Sequence, residues 1–521
     1  MIPPRLHGFL LDSADKAPEH LAYVQGDATT TYAELAGTAS RLAWAMRRAG
    51  VERGDRVALV LDGRVEYLAA YYGILMAGGV VVPMNPDTRP RVLAHALSHC
   101  DARAVVIGGG ELPHLAKALD ELPGLRLVVS VGEARGDLGA HGVELAPFDA
   151  LVAGADELPD GGASGEDLAS INYTSGTTGP PKGVMLAHRN LVANVRSIVR
   201  YLELDRDDRI AMVLPYYYVY GNSVLHTHLA AAGTVVNVGT MAFPARVLEG
   251  IEAHRCTGIS GVPSTFARLT RFEGLERYDL DSLRYVTQAG AAMNRTLTAA
   301  LRRSLPTARI FVMYGQTEAS ARLSYLPPEQ LDRKMGSAGK AIPDVELSIA
   351  DADGNPVSSG TVGEIVARGD NIMLGYLDDP EATARALRGG VLHTGDIARM
   401  DEDGYLFIVG RESDMIKSGG HRIGPHEIEE VIAAIDGVAE CAVVGVTDDL
   451  LGQAIAVFIV QRSGAALDER QVKKACFADL PRYKMPTHVQ FIDALPRSDR
   501  GKLLRSALRE RFEGGPQEGA G

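Results

Sequence analysis

The segment from Tyr173 to Gly183 combines, within eleven residues, the residue types that hold phosphate groups. It contains three glycines, four serine or threonine hydroxyls and one lysine. Glycines let the backbone approach a ligand closely and adopt positive φ angles. Backbone N–H groups and hydroxyls can then surround phosphate oxygens, and the lysine adds a point charge. An ordinary surface loop is the alternative that this composition leaves open. We predict a phosphate-binding loop with the ligands Thr174, Ser175, Gly176, Thr177, Thr178 and Lys182.

The spacing of this loop differs from that of the P-loop of many nucleotide-binding proteins. A P-loop reads Gly-x-x-x-x-Gly-Lys-Ser/Thr, so that its lysine is followed by a hydroxyl residue. Here Lys182 is followed by Gly183. The sequence therefore predicts a phosphate loop of another kind.

Five further short motifs follow the loop, and one such motif alone would be weak evidence. They are Tyr314-Gly315-Gln316-Thr317-Glu318, Thr394-Gly395-Asp396, Gly410-Arg411, Lys417-Ser418-Gly419-Gly420 and Gly501-Lys502. In this order, and over almost the whole chain, the set resembles the motifs of the AMP-forming adenylating superfamily. That superfamily includes acyl-CoA synthetases, peptide-synthetase adenylation domains and luciferases. The chain is most similar to an acyl- or aryl-CoA ligase.

For the nucleotide site, the resemblance implies ATP as a substrate, Mg²⁺ as its counter-ion and contact residues within these motifs. Glu318 would be the magnesium ligand, since Mg²⁺ prefers carboxylate and phosphate oxygens, and Thr317 would donate to the α-phosphate. Asp396 would accept both ribose hydroxyls, with Arg411 as a further ribose contact. Lys502 would be the catalytic lysine of adenylation. The remaining nucleotide contacts would be Gly290, Ala291, Ala292, Tyr314 and Gly315.

Four tyrosines stand within five positions at residues 216–220. Such a cluster suits a wall that packs against a flat or apolar ligand, and a tyrosine-rich strand edge is the structural alternative. In the family that the chain resembles, this segment borders the carboxylate pocket. Many acyl-CoA synthetases carry a gating histidine where Tyr218 stands. The resemblance implies an acyl pocket that includes Tyr218, Tyr220, Gly221, Gly261 and Gln288.

The same segment argues against an α-amino acid as substrate. Amino-acid adenylation domains carry an aspartate that pairs with the substrate ammonium, in a Phe-Asp-x-Ser-Val pattern. Here the corresponding residues read Tyr220-Gly221-Asn222-Ser223-Val224, so Gly221 replaces the aspartate. A buried ammonium without a counter-charge is unfavourable. We therefore expect no α-amino acid substrate.

The resemblance implies two domains, residues 1–411 with the ATP and acyl sites and residues 412–521 as a mobile C-terminal domain. The hinge would be Ser413, where relatives usually carry Asp or Lys. A small hydroxyl residue can still absorb a change in φ and ψ. The C-terminal domain would carry Lys502, and Gly419 and Gly420 would form a narrow tunnel for a pantetheine thiol.

The composition of the chain limits which kinds of partner it can have. Its 521 residues are too many for a single hydrophobic core of ordinary size. A content of 46% hydrophobic and 23% charged residues is typical of a soluble globular protein. A net charge of −13 argues against nucleic acid and against docking on anionic lipid. Four scattered cysteines show no metal or redox spacing, which favours a reducing cytoplasm. The N-terminus has no signal-peptide pattern.

Helix and strand patterns alternate along the chain. Thr31 and Glu34 form a capping box before a helix that extends to about Arg48. The uncharged run Tyr67 to Met84 is divided by Gly78-Gly79, so it predicts a helix, a turn and a buried strand rather than a membrane span. Helices alternating with short β-branched runs imply parallel sheets covered by helices. The fold class is a large α/β N-terminal domain and a small α+β C-terminal domain on a hinge.

The expected function is ATP-dependent activation of a carboxylic acid to an acyl-adenylate, followed by transfer to a pantetheine thiol. An aryl or medium-length acyl group is favoured, and CoA is the favoured acceptor. A stand-alone ligase that loads the phosphopantetheine of an acyl carrier protein keeps every motif and stays open. Transfer to an amine, water or oxygen is a more distant alternative. A non-catalytic nucleotide sensor is disfavoured by the intact Lys502, Glu318 and Asp396.

Overall fold

The structure, a computed structural model, describes residues 5–134, 138, 142–154, 162–174, 181–419, 421–497 and 503–514. The strands of these residues form four sheets. In chain order the strands are β1 (Leu21–Gln25), β2 (Ala28–Thr31), β3 (Arg56–Val60), β4 (Val80–Pro83), β5 (Ala102–Gly108), β6 (Leu127–Val131), β7 (Glu144–Pro147), β8 (Leu168–Thr174), β9 (Lys182–Ala187), β10 (Arg209–Met212), β11 (Thr234–Asn237), β12 (Gly258–Gly261), β13 (Tyr285–Gln288), β14 (Arg309–Tyr314), β15 (Ser324–Leu326), β16 (Lys340–Ala341), β17 (Val345–Ala350), β18 (Val362–Gly369), β19 (Gly375–Tyr376), β20 (Leu387–Arg388), β21 (Val391–Met400), β22 (Leu406–Arg411), β23 (Ile416–Ser418), β24 (His421–Ile423), β25 (Val438–Asp448), β26 (Gly452–Gln461) and β27 (His488–Phe491).

The α-helices of the described residues alternate with these strands through most of the chain. They are α1 (His7–Lys16), α2 (Tyr32–Arg48), α3 (Val65–Met76), α4 (Pro90–His99), α5 (Leu112–Ala116), α6 (Phe148–Val152), α7 (His188–Leu202), α8 (Val219–Ala230), α9 (Pro244–Ala253), α10 (Pro263–Thr270), α11 (Arg295–Ser304), α12 (Pro380–Ala386), α13 (Pro425–Ala433), α14 (Glu469–Asp479) and α15 (Arg505–Gly514).

The largest sheet has nine strands in the order β16-β15-β14-β13-β12-β10-β11-β1-β2. Its six central strands, from β14 to β1, are parallel, and the outer pairs are antiparallel. The N-terminal strand β1 pairs with β11, so that Tyr23 lies opposite Val235. Parallel strands need covering on both faces because their crossover helices pack there. The parallel arrangement carries the strand ends of β12, β13 and β14 to one edge of the sheet.

The second sheet has eight strands in the order β19-β9-β8-β4-β3-β5-β6-β7. It is parallel from β8 to β7, while β8 and β9 form an antiparallel hairpin around the glycine-rich segment. α3 lies between these two sheets, and ten of its residues, from Tyr67 to Met76, are buried. The predicted helix, turn and buried strand between Tyr67 and Met84 are therefore confirmed. No helix of the described residues is long and apolar enough to cross a membrane.

A third sheet, formed by β17, β18, β20, β21 and β22, is entirely antiparallel. The alternation of helix and strand patterns predicted only parallel sheets. It did not reveal this one, because between β17 and β22 the chain forms mostly strands, with α12 as the one intervening α-helix. The C-terminal residues form a fourth sheet, β24-β23-β26-β25 with β27 beside β26, and α13, α14 and α15 accompany it. The large α/β and small α+β parts of the predicted fold class are thus confirmed.

The predicted capping box begins α2. The Thr31 side chain accepts from the Glu34 N–H at 3.2 Å, and the Glu34 carboxylate accepts from the Thr31 N–H at 2.8 Å. This reciprocal pair satisfies two of the free N–H groups at a helix start. Leu35, Leu42 and Met46 of this helix are buried.

The structure corrects two local predictions. The tyrosine segment is neither a strand nor a strand edge: a turn follows β10, and α8 begins at Val219 directly after Tyr218. The motif Thr394-Gly395-Asp396 has the look of a turn in sequence, but Asp396 lies inside β21, which continues to Met400 across a bulge between Ile397 and Ala398.

Candidate active site

The phosphate loop predicted from the sequence connects the paired strands β8 and β9. Thr174 ends β8 and lies opposite Lys182, the first residue of β9. The Lys182 Nζ lies 3.7 Å from Asp379 Oδ2 and 4.9 Å from the centre of the Tyr376 ring. The lysine is 40% exposed, so its ammonium remains accessible to a ligand. These contacts hold a cation at one end of the loop, on its second strand.

Glu318 lies close to the same tyrosine. The Tyr376 hydroxyl donates to Glu318 Oε1 at 2.9 Å, and the Met373 N–H donates to the Glu318 carbonyl at 2.9 Å. Burial, together with the neighbouring Glu318 carboxylate, raises the pKa of Tyr376, so its hydroxyl stays a donor at neutral pH. Tyr376 therefore connects the lysine of the phosphate loop with the carboxylate of the Tyr-Gly-Gln-Thr-Glu motif.

Asp396, Tyr314 and Arg411 form a second polar group. Asp396 and Arg411 are directly paired across β21 and β22. Arg411 Nε lies 3.0 Å from Asp396 Oδ1, and the Tyr314 hydroxyl donates to Asp396 Oδ2 at 2.7 Å. The attraction of Asp396 raises the pKa of Arg411, and burial raises that of Tyr314. Each carboxylate oxygen accepts more than one hydrogen bond, so this fixed aspartate retains capacity for two ligand hydroxyls.

The segment Gly290–Ala292, which follows β13, is exposed and is held by a hydrogen bond from a buried side chain. Gly290, Ala291 and Ala292 are exposed, and Gly290 has a φ of +89°, which favours glycine. Gln288 is fully buried, and its side-chain amide donates to the Ala291 carbonyl at 2.7 Å. Gln288 therefore supports the loop whose residues Gly290, Ala291 and Ala292 are the predicted nucleotide contacts. No described contact joins its side chain to the predicted acyl-pocket residues.

The tyrosines at the start of α8 differ in their surroundings. Tyr218 and Tyr220 are half-buried, and the Tyr218 ring meets that of Tyr217 edge-on, with centroids 4.4 Å apart. The Tyr220 hydroxyl donates to the Thr287 carbonyl at 2.9 Å and lies 3.5 Å from the carbonyl of Gly261. Tyr220 is thereby fixed against the ends of β12 and β13.

Gly221 is required by packing. A Cβ at this position would collide with the backbone carbonyl oxygen of Pro215, which cannot move aside as a side chain can. The aspartate that pairs with an amino-acid ammonium in the family pattern has therefore no room here. Gly261 is also crowded, because a Cβ there would lie 2.6 Å from the Thr265 methyl.

The loop from Gly315 to Arg322 is tightly folded. A Cβ on Gly315 would collide with the Ala321 carbonyl oxygen. Ser320 and Ala321 have φ angles of +56° and +110°, which residues other than glycine rarely adopt. Such strain persists only where the surroundings determine the conformation, and it often accompanies functional loops. Thr317 and Glu318 lie in the single 3₁₀ turn at the start of this loop.

Arg322, at the end of the same loop, carries a side chain that the sequence analysis did not single out. It is 3% exposed, and its Cζ lies 4.1 Å from the centre of the Tyr220 ring. Its Nη1 lies 3.5 Å from the Ala321 carbonyl, and its buried Nε has no hydrogen-bond partner among the described residues. Tyr376 was also missed, because it lies in no motif and only its packing identifies it.

The predicted hinge and thiol residues lie together in sequence but not in the nucleotide groups described above. Ser413 is exposed in a 3₁₀ turn, Glu412–Asp414, that directly follows β22. Gly419 follows β23 with a φ of +55° and donates to the Leu451 carbonyl at 2.9 Å. The remaining predicted site residues lie outside the described residues: Ser175, Gly176, Thr177, Thr178, Gly420 and Lys502.

A magnesium ion would have to arrive with its phosphates. Among the described side chains, no group of three or more His, Cys, Asp or Glu residues is placed to hold a metal. Mg²⁺ is usually bound by one or two carboxylates together with substrate phosphates and water. Glu318 fits that role, because Tyr376 bonds one of its oxygens and leaves the other for a cation.

The chain is similar to known families and proteins over most of its length. Residues 10–377 match the family described as AMP-binding enzyme, and residues 427–502 match the AMP-binding enzyme C-terminal domain. Feruloyl-CoA synthase of an Amycolatopsis species is 34% identical over 501 residues, which cover 96% of this chain and 97% of that protein. The 4-coumarate-CoA ligase 1 of Narcissus pseudonarcissus is 33% identical over 521 residues, covering 97% and 93%.

A solved structure is similar to the chain over the same extent. The crystal structure of ATP-bound MatB from Rhodopseudomonas palustris matches with a TM-score of 0.87 and 30% identity, over 98% of this chain and 99% of that one. The similarity therefore extends through both the large and the small parts of the chain.

Proposed function

Because this chain belongs to the AMP-binding enzyme family, as an AMP-forming acid–thiol ligase of the acyl-CoA synthetase type, we propose how its residues divide the reaction and which acids it takes. ATP, a carboxylic acid and CoA are the substrates. The proposed acid is an aryl or medium-length acyl compound and not an α-amino acid. The exclusion of amino acids is supported by the Pro215 carbonyl, which leaves no room at position 221 for the aspartate that would pair with an ammonium group.

One observation carries the proposed nucleotide site. Asp396 is 6% exposed, and its two oxygens are held by Tyr314 and Arg411. An aspartate fixed in this way is pre-organised to accept the two ribose hydroxyls, since no rotamer freedom is lost when they bind. Arg411 would add a ribose contact, and the exposed segment Gly290–Ala292 would lie against adenine.

In the first half-reaction, a carboxylate oxygen attacks the α-phosphorus of ATP and pyrophosphate leaves. The loop from Thr174 to Lys182 would hold the β- and γ-phosphates, while Thr317 donates to the α-phosphate. Lys502 would stabilise the charge that develops between carboxylate and leaving group. Glu318 would hold Mg²⁺, which supplies charge neutralisation to the phosphates when bound.

In the second half-reaction, a thiolate attacks the carbonyl carbon of the acyl-adenylate and AMP leaves. We propose that residues 412–521 rotate about Ser413, which removes Lys502 and brings the Lys417 to Gly420 segment to the site. The positive φ of Gly419 supports a close approach of a narrow thiol arm. CoA is the acceptor in this proposal, and carrier-protein phosphopantetheine remains the second candidate because it presents the same thiol.

ATP–pyrophosphate exchange tests the proposed substrate class. The panel would contain aryl, short-, medium- and long-chain acids, together with amino acids. We expect exchange with aryl or medium-length acids and none with amino acids. Robust exchange with an amino acid would contradict the interpretation of Gly221. Adding CoA, or a carrier protein with a free phosphopantetheine thiol, to the productive acid then identifies the acceptor.

A further inference from the structure

Among the lysines and arginines of the described residues, only Arg322 is buried. Burial of a charged group is strongly unfavourable unless an opposite charge and hydrogen bonds compensate it. Three partly buried cations follow this rule. Their carboxylate partners are Asp208 for Arg284, Glu429 for Arg505, and Asp401 with Asp403 for Lys334.

Arg322 has no such partner: the described residues place no carboxylate within ion-pair distance of its guanidinium. Its neighbours are the face of the Tyr220 ring and the carbonyl of Ala321. Burial raises the pKa of the Tyr201 phenol, and the cation on Arg322 opposes that rise, so this phenol is another close but neutral neighbour. A ring face and neutral oxygens compensate the charge only in part.

The contacts of Arg322 place the guanidinium on the acyl side of the site. Tyr220, on which it stacks, is fixed by Thr287 and the Gly261 carbonyl at the ends of β13 and β12. No described contact joins the Arg322 side chain to Glu318, Asp396 or Arg411. The cation therefore belongs with the wall of the proposed acyl pocket, away from the residues that would bind ATP.

We propose, on the basis of the function proposed above, that Arg322 selects a dicarboxylic acid by pairing with its second carboxylate at the far end of the acyl pocket. One carboxylate of the acid reacts with ATP. The other carboxylate supplies the negative charge that no described residue places beside Arg322. A bidentate pair with a guanidinium fixes orientation as well as charge, so the acid would bind in one direction.

The test compares matched acids in ATP–pyrophosphate exchange with the full chain. One set is terephthalate, its monoamide 4-carbamoylbenzoate, and benzoate; the other is adipate, its monoamide, and hexanoate. Each monoamide keeps the shape of the diacid but lacks the second charge. We expect kcat/KM for at least one diacid to exceed that for its monoamide by about 10- to 100-fold, as for a hydrogen bond to a charged group.

Variants assign that preference to the guanidinium. In Arg322→Met, which keeps an unbranched side chain but removes the guanidinium, the ratio of diacid to monoamide should fall to near unity. Arg322→Lys should retain part of the preference because it retains the charge. Arg209→Met is the matched control. Arg209 is a partly buried arginine of β10 whose Nη1 bonds the His254 carbonyl at 3.3 Å, and its loss should leave the ratio unchanged.

The outcomes separate this inference from the function on which it rests. Equal use of monoacid, monoamide and diacid by the wild-type chain would overturn the role of Arg322 and leave the proposed function standing. A diacid preference that persists in Arg322→Met would also overturn it. Exchange with none of the aryl or medium-length acids would overturn the proposed substrate class itself.

Discussion

Asp396 shows how a single carboxylate can be prepared for a ligand before the ligand arrives. Its two oxygens are held by groups from different strands, Tyr314 at the end of β14 and Arg411 at the end of β22. The aspartate N–H also donates to the Thr394 hydroxyl at 3.1 Å. These bonds fix the plane of the carboxylate, which is the property that recognition of a rigid diol needs.

Replacing Asp396 with Asn should weaken ATP binding by about 10- to 100-fold, because one oxygen acceptor of the ribose hydroxyls becomes a donor. Isothermal titration calorimetry with ATP measures this loss. The control ligand is 2′,3′-dideoxy-ATP, which lacks both hydroxyls and should bind wild type and variant alike. An equal loss for the two nucleotides would show that Asp396 acts through Arg411 and not through the ribose.

Tyr376 and Arg322 are residues of the proposed site that could not be identified from the sequence. The motif residues could be found because their types and spacing together are characteristic. Tyr376 is one tyrosine among 18, and Arg322 is one cation in a charged sequence. Their chemistry depends on partners that are distant in sequence, such as Tyr220 for Arg322 and Lys182 for Tyr376. Those pairings exist only in the folded chain.

At the scale of elements, Gly221 determines how the start of α8 packs against the turn before it. The turn from Pro215 to Tyr218 folds back onto the first helical residues, and only a residue without a Cβ fits beside the Pro215 carbonyl. The helix then carries Tyr220 to the site and His226 and His228 into the core. A single backbone contact therefore positions one wall of the proposed pocket.

Gly221→Ala should destabilise the protein by about 1–3 kcal/mol, because the added methyl meets a backbone atom. Gly37→Ala in α2 is the matched control: the added methyl would meet only the flexible end of Arg41, at 3.2 Å. Alanine is favoured over glycine inside a helix, so this change should be neutral or stabilising by up to about 1 kcal/mol. Urea unfolding of both variants measures the difference. Equal stability of the two would contradict the assigned contact.

The two histidines of α8 predict a pH dependence of stability. Burial lowers the pKa of His226 to about 3 and that of His228 to about 4. In the unfolded chain both take up a proton near pH 6.5, whereas in the folded chain they stay neutral. The unfolded state then binds more protons, so stability should fall as the pH drops from about 6.5 towards 4.

His226→Gln removes one of these groups. Its free energy of unfolding should depend less steeply on pH than that of wild type, by about 1.4 kcal/mol per pH unit between pH 6 and 5. Denaturant titrations at several pH values give both slopes. An unchanged slope would show that His226 is protonated in the folded protein, contrary to the effect of burial.

Elements with strong periodicity were predicted well from the sequence, and their spatial order was not. The start of α2 follows from its capping box, and the break after α3 follows from Gly78-Gly79, and both are local properties. The bulge that lets β21 continue past Asp396, and the antiparallel sheet around it, depend on pairing with β18 and β22. Such pairings are decided by the whole chain, and local patterns do not encode them.

At the scale of the whole molecule, the function requires two half-reactions to share one site. The proposed division assigns adenylation to Lys502 and thioester formation to the segment around Gly419. Ser413 would allow the exchange, since it lies in an exposed turn directly after β22. The arrangement explains why a small domain accompanies a large one that already contains the predicted ATP contacts.

Lys502→Ala should abolish acyl-adenylate formation and spare thioester formation from acyl-adenylate supplied in advance. Pyrophosphate exchange measures the first step, and release of AMP from synthetic acyl-adenylate with CoA measures the second. A hinge variant, Ser413→Pro, should slow the complete reaction while leaving pyrophosphate exchange measurable. Loss of both steps in Lys502→Ala would refute the division between the two conformations.

The pairing of β1 with β11 has a consequence for how the protein is made. β1 can pair with β2 as soon as that strand has been synthesised, but β11, its parallel neighbour in the largest sheet, is synthesised more than 200 residues later. At ordinary elongation rates the nascent chain waits roughly ten to forty seconds for that partner. During this time the apolar residues of the N-terminal segment need other protection, such as a chaperone. The second sheet, whose strands β3 to β7 pair mostly with near neighbours in sequence, can form while β1 is still waiting.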